Sequence, residues 1–475
     1  MLRDDEPLSE LTGVFEGEVV VPGDAHYDDA RRVWNGVIDR RPAAVIRCAS
    51  TDDVRAGVAI AREYGLPVAV RGGGHSVAGH GTVDDGIVLD LAALNAVSVD
   101  ADSRRVAVGG GATWGQVDAE TQRHALAVPG GVFSRTGVAG LALGGGYGWL
   151  RNAYGLSCAN LVAAELVTAD SQLLEVTETS HPELLWALRG GGGNVGVVTR
   201  FTFLAHPLGP EVYFLMVFHD AADGAAPGLL RRFREFCASA PDSVSLVAVV
   251  GVVNDEAEGF PEGAAGRPYV TFAGVVVGDP AEGERLLRPL RESADPLLDA
   301  SGVMPWVAVQ RVFDADYPDG RRYYWKSTNV TDLADGAIDL IAEAGTHPAS
   351  ALSTVDLWHV AGAAARPVDG AFATSSAAFL VNPEANWTDP ADDARSIRWV
   401  RDLVAALAPF SDGTRYLNFA GFHEEETTQV PASFGDHYER LARVKAQWDP
   451  HNVFRVNQNV RPQAAPTTAG YRRGD

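Results

Sequence analysis

Glycine is the residue that most constrains this chain. It occurs 51 times in 475 residues, and many glycines stand in runs: 71–76 reads RGGGHS, 129–148 reads PGGVFSRTGVAGLALGGGYG, and 190–196 reads GGGGNVG. Glycine lets backbone N–H groups approach an anion closely and adopts left-handed conformations without a steric penalty. Each run alone is compatible with tight turns. Three runs in one half of the chain predict a bound nucleotide diphosphate.

The last glycine run contains a misleading match to a known motif. Gly191-x-Gly193-x-x-Gly196 has the spelling of the Rossmann dinucleotide fingerprint, which needs a strand before it and a helix after it. Here the predicted order is a helix over 181–189, a loop, and then a strand. The sequence therefore argues against a Rossmann domain. A P-loop is also excluded, because no Gly-Lys-Ser/Thr triplet occurs.

Composition limits the partners. The net charge of −23 repels phosphate backbones and anionic lipid, so neither nucleic acid nor a membrane surface is an expected partner. No apolar run approaches the roughly 18–20 residues of a membrane helix. The acidic N-terminus lacks the apolar core of a signal peptide, which predicts a cytoplasmic protein. The three cysteines show neither a disulfide framework nor metal-ligand spacing, so no metal site is predicted.

The predicted elements change character after His206-Pro207. Before this point short strands and helices alternate, including a helix over 51–64 that begins at a Thr-Asp cap signal. After it, four apolar strands alternate with three helices, the pattern of an antiparallel sheet covered by helices on one face. The strands are predicted at 211–219, 243–253, 268–277 and 352–361, and the helices at 224–239, 281–297 and 331–345. From 414 we expect a strand, then a helix over 433–447, with the last dozen residues disordered.

Four segments together resemble the berberine bridge enzyme-like family. They are RGGGHS at 71–76, the run from Pro129 through YGLSCANL, LLWALRGGGGNVGVVTRF at 184–201, and FRVNQNVRP at 454–462. They cover nearly all of the first 205 residues and the C-terminal 60, in order and with family-like spacing. That family belongs to the FAD-linked oxidases of the vanillyl-alcohol-oxidase fold, whose FAD-binding domain is of the PCMH type.

The resemblance implies an α+β fold. A two-lobed FAD-binding domain would comprise 1–206, an inserted substrate-binding domain with a helix-covered antiparallel sheet would comprise 207–413, and 414–475 would complete the FAD-binding domain.

It also implies a doubly linked cofactor. His75 would be attached to the 8α carbon of FAD, and Cys158 through its sulfur to C6, as in the bicovalent members. Taken alone, His75 is compatible with a turn residue and Cys158 with a buried small hydrophobe. The further FAD-binding residues implied are Arg71, Gly72, Gly73, Gly74, Ser76, Ser134, Thr136, Gly140, Gly144, Gly145, Val198, Asn457 and Asn459.

Two positions depart from the family pattern. Ala159 follows the cysteine where Asp is common. Leu161 stands where a valine accompanies oxygen access in plant members and bulkier residues accompany poor oxygen use. The electron acceptor therefore stays open between O2 and another molecule.

Tyr416 and Asn418 are the predicted catalytic residues. Strand alternation in Arg415–Phe419 would place both on one face, and the pair resembles the family's Tyr-x-Asn motif, whose tyrosine acts as a base in several bacterial members. A phenol titrates near 10, so Tyr416 would need neighbours that stabilise phenolate. The alternative is an aromatic side chain that only packs against the flavin edge.

The substrate pocket is predicted less directly. Asp356 and Trp358 share one face of the strand at 352–361, which resembles a family strand that contributes to the pocket. Tyr324 and Lys326 are further candidates, although an amphipathic strand would explain them as well.

These features predict an FAD-dependent oxidase acting on a CH–OH group of a carbohydrate or secondary metabolite, with O2 as acceptor. One alternative is a dehydrogenase of the same fold with a different acceptor. The other is a non-catalytic protein that binds a flavin or a metabolite.

Overall fold

The N-terminal sheet has four strands, of which the last three in spatial order are parallel to each other. In the computed structural model, which describes residues 13–422 and 426–463, its spatial order is Glu18–Val20, Ala44–Arg47, Ile87–Asp90, Val68–Arg71. The helix Thr51–Tyr64 packs Val54, Val58 and Ala61 against this sheet, as its apolar spacing predicts. Its N-cap is Ser50, one residue before the predicted cap, and Gly65 ends it at φ 67°.

The second sheet has five antiparallel strands. In spatial order they are Val97–Asp100, Arg105–Gly109, Val197–Leu204, Leu161–Val167 and Leu173–Thr177. The strand Val197–Leu204 lies at the centre and follows the glycine loop 190–196 directly. The predicted order of helix, loop and strand is confirmed here, so the fingerprint spelling at Gly191 belongs to a loop that leads into a strand.

The large sheet has nine antiparallel strands and lies between residues 211 and 387. In spatial order its main path is Pro296–Asp299, Glu211–Asp220, Pro268–Val276, Val244–Val252, Thr354–His359, Phe379–Trp387 and Arg322–Trp325. Gly302–Pro305 pairs with the second strand of this path, and Thr328–Val330 with the sixth. The mixed α+β architecture that the sequence predicts is confirmed.

Four helices cover one face of the large sheet: Ala226–Cys237, Pro280–Arg291, Asp335–Thr346 and Asp393–Ala406. Alternation sorts the strand residues between the two faces. Leu246, Ala248 and Val250 pack under the helices, whereas Val247 faces the glycine-rich half of the molecule. The open face of this sheet therefore forms a wall between the two halves.

The remaining helices are short or belong to the glycine-rich half. They are Tyr27–Arg31, Trp114–Thr121, Val138–Leu143, Arg151–Tyr154, Pro182–Leu188, Trp306–Val309, Glu426–Phe434 and Tyr438–Trp448. A two-stranded sheet pairs Leu126–Ala127 with His206–Pro207.

The predicted strand after 414 is wrong. Leu417–Phe419 forms a 3-10 turn, and the C-terminal helical segment is divided between Glu426–Phe434 and Tyr438–Trp448. Tertiary hydrogen bonds decide the local conformation here: Gln458 donates to the Leu417 carbonyl at 3.0 Å, and the side chain of Asn418 donates to the Leu141 carbonyl at 3.0 Å. A prediction from a short stretch of sequence could not include these partners, because they lie far away in the chain.

Within the described ranges, no helix has the length and apolar character needed to cross a bilayer. The residues on which the signal-peptide and disorder predictions rest, 1–12 and 464–475, lie outside the described part of the chain.

Candidate active site

Two glycine loops touch backbone to backbone and form the floor of a cavity. A Cβ atom added at Gly73 would lie 2.4 Å from the Gly137 nitrogen, and one added at Gly137 would lie 2.3 Å from the Gly73 nitrogen. Real Cβ atoms do not approach that closely, so both positions need glycine. We call the space above them the glycine-lined cavity. Its wall comprises residues from 70–77, 131–144, 190–198, 417–420 and 456–458.

The cavity wall exposes backbone. Cβ atoms added at Gly140 and Gly193 would meet nothing within 4 Å and would project into this space. Within the described residues, the N–H groups of Gly72, Gly73 and Gly74 donate to no protein acceptor. Gly74 has φ 69°, a left-handed conformation that favours glycine. The wall is therefore shaped for an anion-bearing ligand that hydrogen bonds to the backbone.

Arg71 positions the loop from behind. Its guanidinium donates to the Ala30 carbonyl at 2.7 Å and to the Asp90 carboxylate at 2.8 Å, and the residue is only 7% exposed. Arg71 closes the strand Val68–Arg71, so this ion pair joins two strands of the N-terminal sheet just before the chain turns into Gly72. The arginine lines the cavity, but both terminal nitrogens of its guanidinium donate to protein oxygens.

His75 stands on the cavity wall between two aromatic rings. Trp34 stacks on the imidazole with ring centroids 4.1 Å apart and planes 16° apart, and Phe133 lies on it at 5.9 Å and 25°. Burial, together with the charge of Arg135, lowers the pKa of His75 to about 3. The imidazole is therefore neutral at physiological pH and held in one orientation.

Tyr416 lies behind the part of the cavity wall that Asn418 and Tyr147 form. Its hydroxyl oxygen accepts hydrogen bonds from the backbone N–H groups of Gly146 at 2.9 Å and Tyr147 at 3.3 Å, and from the Asn418 side-chain amide at 2.8 Å. Asn418 and Tyr147 themselves line the cavity. Tyr416 does not line it: the phenol is 3% exposed and packs in the adjoining core.

The three donors oppose the effect of burial. Burial raises the pKa of Tyr416 to about 12, while the hydrogen bonds from Gly146, Asn418 and Tyr147 each favour the phenolate. A neutral hydroxyl has two acceptor lone pairs, so three donors directed at one oxygen match a phenolate better. Tyr416 and Asn418 do adjoin as predicted, although through a turn rather than through strand alternation.

Cys158 is fully buried next to this region. Its backbone N–H donates to the Gly145 carbonyl at 2.8 Å, in the 3-10 turn Ser157–Asn160. The side chain packs in the same hydrophobic cluster as Tyr416 and Tyr147 and does not line the cavity. Burial raises the pKa of the Cys158 thiol to about 12, with the charge of Arg189 acting the other way.

The other predicted FAD-binding residues divide into two groups. Those on the wall of the glycine-lined cavity are Gly72, Gly73, Gly74, Ser76, Thr136, Gly140, Gly144, Val198 and Asn457. Ser134, Gly145 and Asn459 do not line it. Ser134 instead donates from its backbone N–H and its hydroxyl to the Asp314 carboxylate at 3.0 and 2.5 Å. The serine therefore contacts the part of the chain that follows residue 206, and not the cavity.

A second cavity lies on the open face of the large sheet. We call it the sheet-face cavity, and it adjoins the glycine-lined cavity because Val132, Phe133, Trp358 and Phe419 line both. Asp356 and Trp358, the predicted pocket residues, both line the sheet-face cavity. Their shared face on the strand Thr354–His359 follows from alternation, as predicted.

Tyr324 and Lys326 lie elsewhere. Tyr324 is fully buried, contacts Ala385 and Trp387, and accepts a hydrogen bond from Arg401 at 2.9 Å. It lines neither cavity. Lys326 lines a small separate cavity with Tyr416. Strand alternation in Arg322–Trp325 turns Trp325, rather than Tyr324, toward the glycine-lined cavity.

Sequence reasoning missed two polar residues on these walls. His80 lines the glycine-lined cavity, and its Nε2 is buried without a hydrogen-bond partner among the described residues. Glu384 lines the sheet-face cavity beside Asp356. A signal for Glu384 exists: Asn382, Glu384 and Asn386 occupy every second position of the otherwise apolar strand Phe379–Trp387. Three polar residues on one face of a buried strand indicate a functional surface.

Comparison with protein families identifies two segments of the chain that contribute to the glycine-lined cavity. A family model for an FAD binding domain matches residues 42–177, and a model described as berberine and berberine like matches residues 415–461. The chain is a flavin-dependent oxidoreductase.

Relatives match this oxidoreductase over nearly its whole length. It is 29% identical to (R)-6-hydroxynicotine oxidase of Paenarthrobacter nicotinovorans, covering 95% of this chain and 98% of that protein. It is 28% identical to an uncharacterised FAD-linked oxidoreductase of Bacillus subtilis, covering 94% and 97%. Among solved structures, 6-hydroxy-D-nicotine oxidase from Arthrobacter nicotinovorans superposes with a TM-score of 0.86 at 28% identity, over 94% of this chain and 98% of the other.

A more distant neighbour shares the fold. Glucooligosaccharide oxidase from Acremonium strictum superposes with a TM-score of 0.85 at 21% identity, covering 97% of this chain and 100% of the other, and its FAD is described as 6-S-cysteinyl and 8α-N1-histidyl.

The residues of this oxidoreductase fit FAD. The cavity presents open glycine positions for an anionic ligand and backbone N–H groups that no described residue accepts from. Three buried polar atoms in this region, His80 Nε2, Asn457 Oδ1 and Asn459 Oδ1, also have no partner within residues 13–422 and 426–463. Buried polar atoms are rarely left unpaired in native proteins, so these atoms and the glycine floor together indicate a polar dinucleotide.

Proposed function

We propose that this flavin-dependent oxidoreductase is an oxidase that holds FAD covalently at His75 and Cys158 and oxidises a CH–OH group of a small molecule with O2. The observation that carries the proposal is the placement of His75, stacked on Trp34, on the wall of the glycine-lined cavity. Tyr416 and its three donors lie just behind the same cavity.

Different observations support the covalent attachment of FAD at His75 and at Cys158. The neutral imidazole of His75 keeps a ring nitrogen free to bond, and its stacking on Trp34 fixes the ring. Cys158 is a free thiol, and its turn hydrogen bonds to Gly145 beside the cavity wall. The doubly linked FAD of glucooligosaccharide oxidase, a protein of the same fold, supports this proposal.

We also propose the domain division. Residues 1–206 and 414–475 would form the FAD-binding domain, and 207–413 the substrate-binding domain. The matched family models at 42–177 and 415–461 lie in the first, and the nine-stranded sheet lies entirely in the second. The sheet-face cavity would then hold the substrate.

In the proposed reaction, bound FAD supplies a hydride acceptor. Tyr416 would act as the base at its phenolate oxygen. The phenol lies behind Asn418 and Tyr147 of the cavity wall, so this role requires the substrate hydroxyl to reach it past these two side chains. The N–H groups of Gly146 and Tyr147 would stabilise the phenolate, and the Asn418 amide would hold its orientation. The aromatic residues between the two cavities, Phe133, Trp358 and Phe419, would exclude water from the reacting carbon.

The substrate class proposed is a carbohydrate or a hydroxylated secondary metabolite. The names of two similar proteins, a hydroxynicotine oxidase and a glucooligosaccharide oxidase, differ in substrate, so the fold alone does not select one. A second candidate function is a dehydrogenase with an acceptor other than oxygen. The observation that favours it is Leu161, which is buried at the start of its strand.

Absorbance of the flavin separates these functions. We expect anaerobic addition of an alcohol substrate to bleach the flavin band and admission of air to restore it within seconds. Bleaching that persists in air but is reversed by an artificial quinone acceptor would identify the dehydrogenase. A flavin that no compound in a panel of alcohols, sugars and hydroxylated metabolites bleaches would contradict both and favour a binding protein.

A further inference from the structure

Two carboxyl groups meet inside the sheet-face cavity. Asp356 and Glu384 lie on neighbouring strands, where Asp356 pairs with Asn382 and Glu384 stands two residues further along. Such diagonal residues share a face of the sheet within side-chain reach. Asp356 is 7% exposed and Glu384 2%. Thr354 donates to Asp356 at 2.9 Å, and Tyr317 and the Asn382 amide each donate to Glu384 at 2.7 Å.

The cavity holds little positive charge to balance them. Its lining includes the acids Glu256, Glu258, Asp316, Asp356 and Glu384, and one base, Arg321. Arg321 is already engaged, because its guanidinium donates to Glu256 at 2.7 Å and to the Asp316 carbonyl at 2.9 Å. The buried pair therefore has no counter-ion among the described residues that line the cavity.

A second observation points to a ligand. The indole N–H of Trp358 and the hydroxyl of Thr271 are buried without hydrogen-bond partners in the described part of the chain, and both residues line the cavity. Trp358 is 4% exposed and Thr271 3%. An unpaired buried donor costs roughly 1–3 kcal/mol, so a hydrogen bond to a ligand in this cavity would offset a cost that the protein itself leaves uncompensated.

The walls around the carboxyl pair are aromatic. Phe218, Phe260, Phe313, Tyr317 and Trp149 line the cavity, and Trp358 and Phe419 continue the wall into the glycine-lined cavity. Aromatic faces attract organic cations, and two buried acids attract them more strongly.

We propose that Asp356 and Glu384 bind a protonated amine of the substrate, so that the oxidised molecule is an amino alcohol with an aromatic or alicyclic body. Its ammonium group would lie between the two carboxylates, and Trp358 would donate to an oxygen of the same molecule. Resting on the proposed function, this assignment places the hydroxyl toward the glycine-lined cavity. The substrate class is thereby narrowed from alcohols in general to basic alcohols.

Proton release accompanies such binding. Burial raises the pKa of Asp356 to about 7, and burial together with the Asp356 charge raises that of Glu384 well above its usual range. The unliganded pair therefore retains a proton near neutral pH. An ammonium ion favours the charged carboxylates, so the proton would pass to the buffer when the amine binds.

Calorimetry on the holoenzyme tests this with a matched pair of probes. We use para-(aminomethyl)benzyl alcohol, which is cationic at neutral pH, and its neutral isostere para-ethylbenzyl alcohol. At about pH 7 the amine should bind at least about tenfold more tightly than the isostere. The heat of amine binding should also differ between phosphate and Tris buffers because a proton is released. In the Asp356→Asn/Glu384→Gln variant, the preference should fall to less than about threefold and the buffer dependence should disappear.

Asp402→Asn is the matched control, since Asp402 is an exposed acid on the helix Asp393–Ala406 outside both cavities. It should keep the full preference. Equal affinities for the two probes in the wild type, binding of neither, or an undiminished preference in the double variant would overturn the proposal. Flavin bleaching is recorded separately: preferential amine binding with no bleaching by either alcohol would support the cation site and contradict the proposed oxidase activity.

Discussion

At Tyr416 burial and hydrogen bonding act in opposite directions on one hydroxyl group. Burial raises its pKa to about 12, so the phenol is protonated at neutral pH, while three donors favour the charged form. If the phenolate is the base, the active fraction rises about tenfold per pH unit below this pKa. The rate of anaerobic flavin reduction should therefore increase continuously from about pH 7 to pH 10. Stopped-flow absorbance measures it.

Tyr416→Phe should slow flavin reduction by about 10²–10⁴-fold and remove this pH dependence. Tyr438→Phe provides the control, because Tyr438 lies at the start of the C-terminal helix outside both cavities. A Tyr416→Phe enzyme with the wild-type rate and pH profile would assign the residue to packing, the alternative that the sequence analysis left open.

The raised pKa of Asp356 predicts a pH-dependent change in the free energy of unfolding that can be measured without substrate. Its folded pKa of about 7 exceeds the unfolded value near 3.9, so its favourable contribution is complete below about pH 4 and is lost as the pH rises to about 7. Asp356→Asn removes this loss. The variant should gain up to a few kcal/mol in unfolding free energy relative to wild type at about pH 8, and much less at about pH 4.5.

Urea unfolding at the two pH values checks this, with Asp402→Asn as the exposed control. A difference between wild type and Asp356→Asn that stays constant with pH would show that the Asp356 pKa is not raised in the folded protein.

At the scale of elements, the floor of the glycine-lined cavity depends on a backbone contact between Gly73 and Gly137 that leaves no room for a Cβ atom. Gly73→Ala places a Cβ against the Gly137 backbone. We expect a loss of roughly 1–3 kcal/mol from overpacking and a reduced flavin-to-protein absorbance ratio. Gly228→Ala is the control, because Gly228 lies in the helix Ala226–Cys237 with nothing within 4 Å of an added Cβ. A normal melting temperature and flavin content in Gly73→Ala would contradict this account of the floor.

Elements with a strong local signal were predictable. The helix Thr51–Tyr64 has the predicted bounds, because its apolar spacing and its glycine stop are contained in its own sequence. The RGGGHS loop could be assigned to a nucleotide site because its glycine run is likewise contained in its own sequence, and the loop lines the glycine-lined cavity. The turn Leu417–Phe419 was not predictable, since its conformation depends on hydrogen bonds from Gln458 and to Leu141, far away in sequence.

The site was predictable to a similar degree. His75 and Asn418 line the glycine-lined cavity, but Cys158 and Tyr416 lie one layer behind it. The carboxyl pair could not be found from either strand alone, because Asp356 and Glu384 become neighbours only through the pairing of Thr354–His359 with Phe379–Trp387.

At the scale of the whole molecule, a buried ion pair fastens the C-terminal segment to the glycine-rich half. Lys445 donates to Asp449 at 2.6 Å, to the Asn194 carbonyl at 2.7 Å and to the Phe454 carbonyl at 2.8 Å, and both charged side chains are fully buried. The segment that follows carries Asn457 onto the cavity wall. We therefore expect the position of Asn457 to depend on this lysine.

Lys445→Met leaves the Asp449 charge buried without its partner, which costs about 3–5 kcal/mol. We expect a lower urea midpoint and a smaller fraction of protein with bound flavin. Arg443→Met, an exposed change of equal charge on the same helix, should leave both unchanged. Equal urea midpoints for the two variants would contradict a fastening role for Lys445.

Intact mass after acid denaturation shows whether FAD is attached to the chain at His75 and Cys158. Wild-type protein, Cys158→Ala, His75→Ala and the double variant are denatured in acid and weighed. We expect a mass increase of one FAD in the wild type and in each single variant, and the bare chain mass in the double variant. Bare mass and a colourless precipitate from the wild type, or an FAD adduct that survives in the double variant, would contradict it.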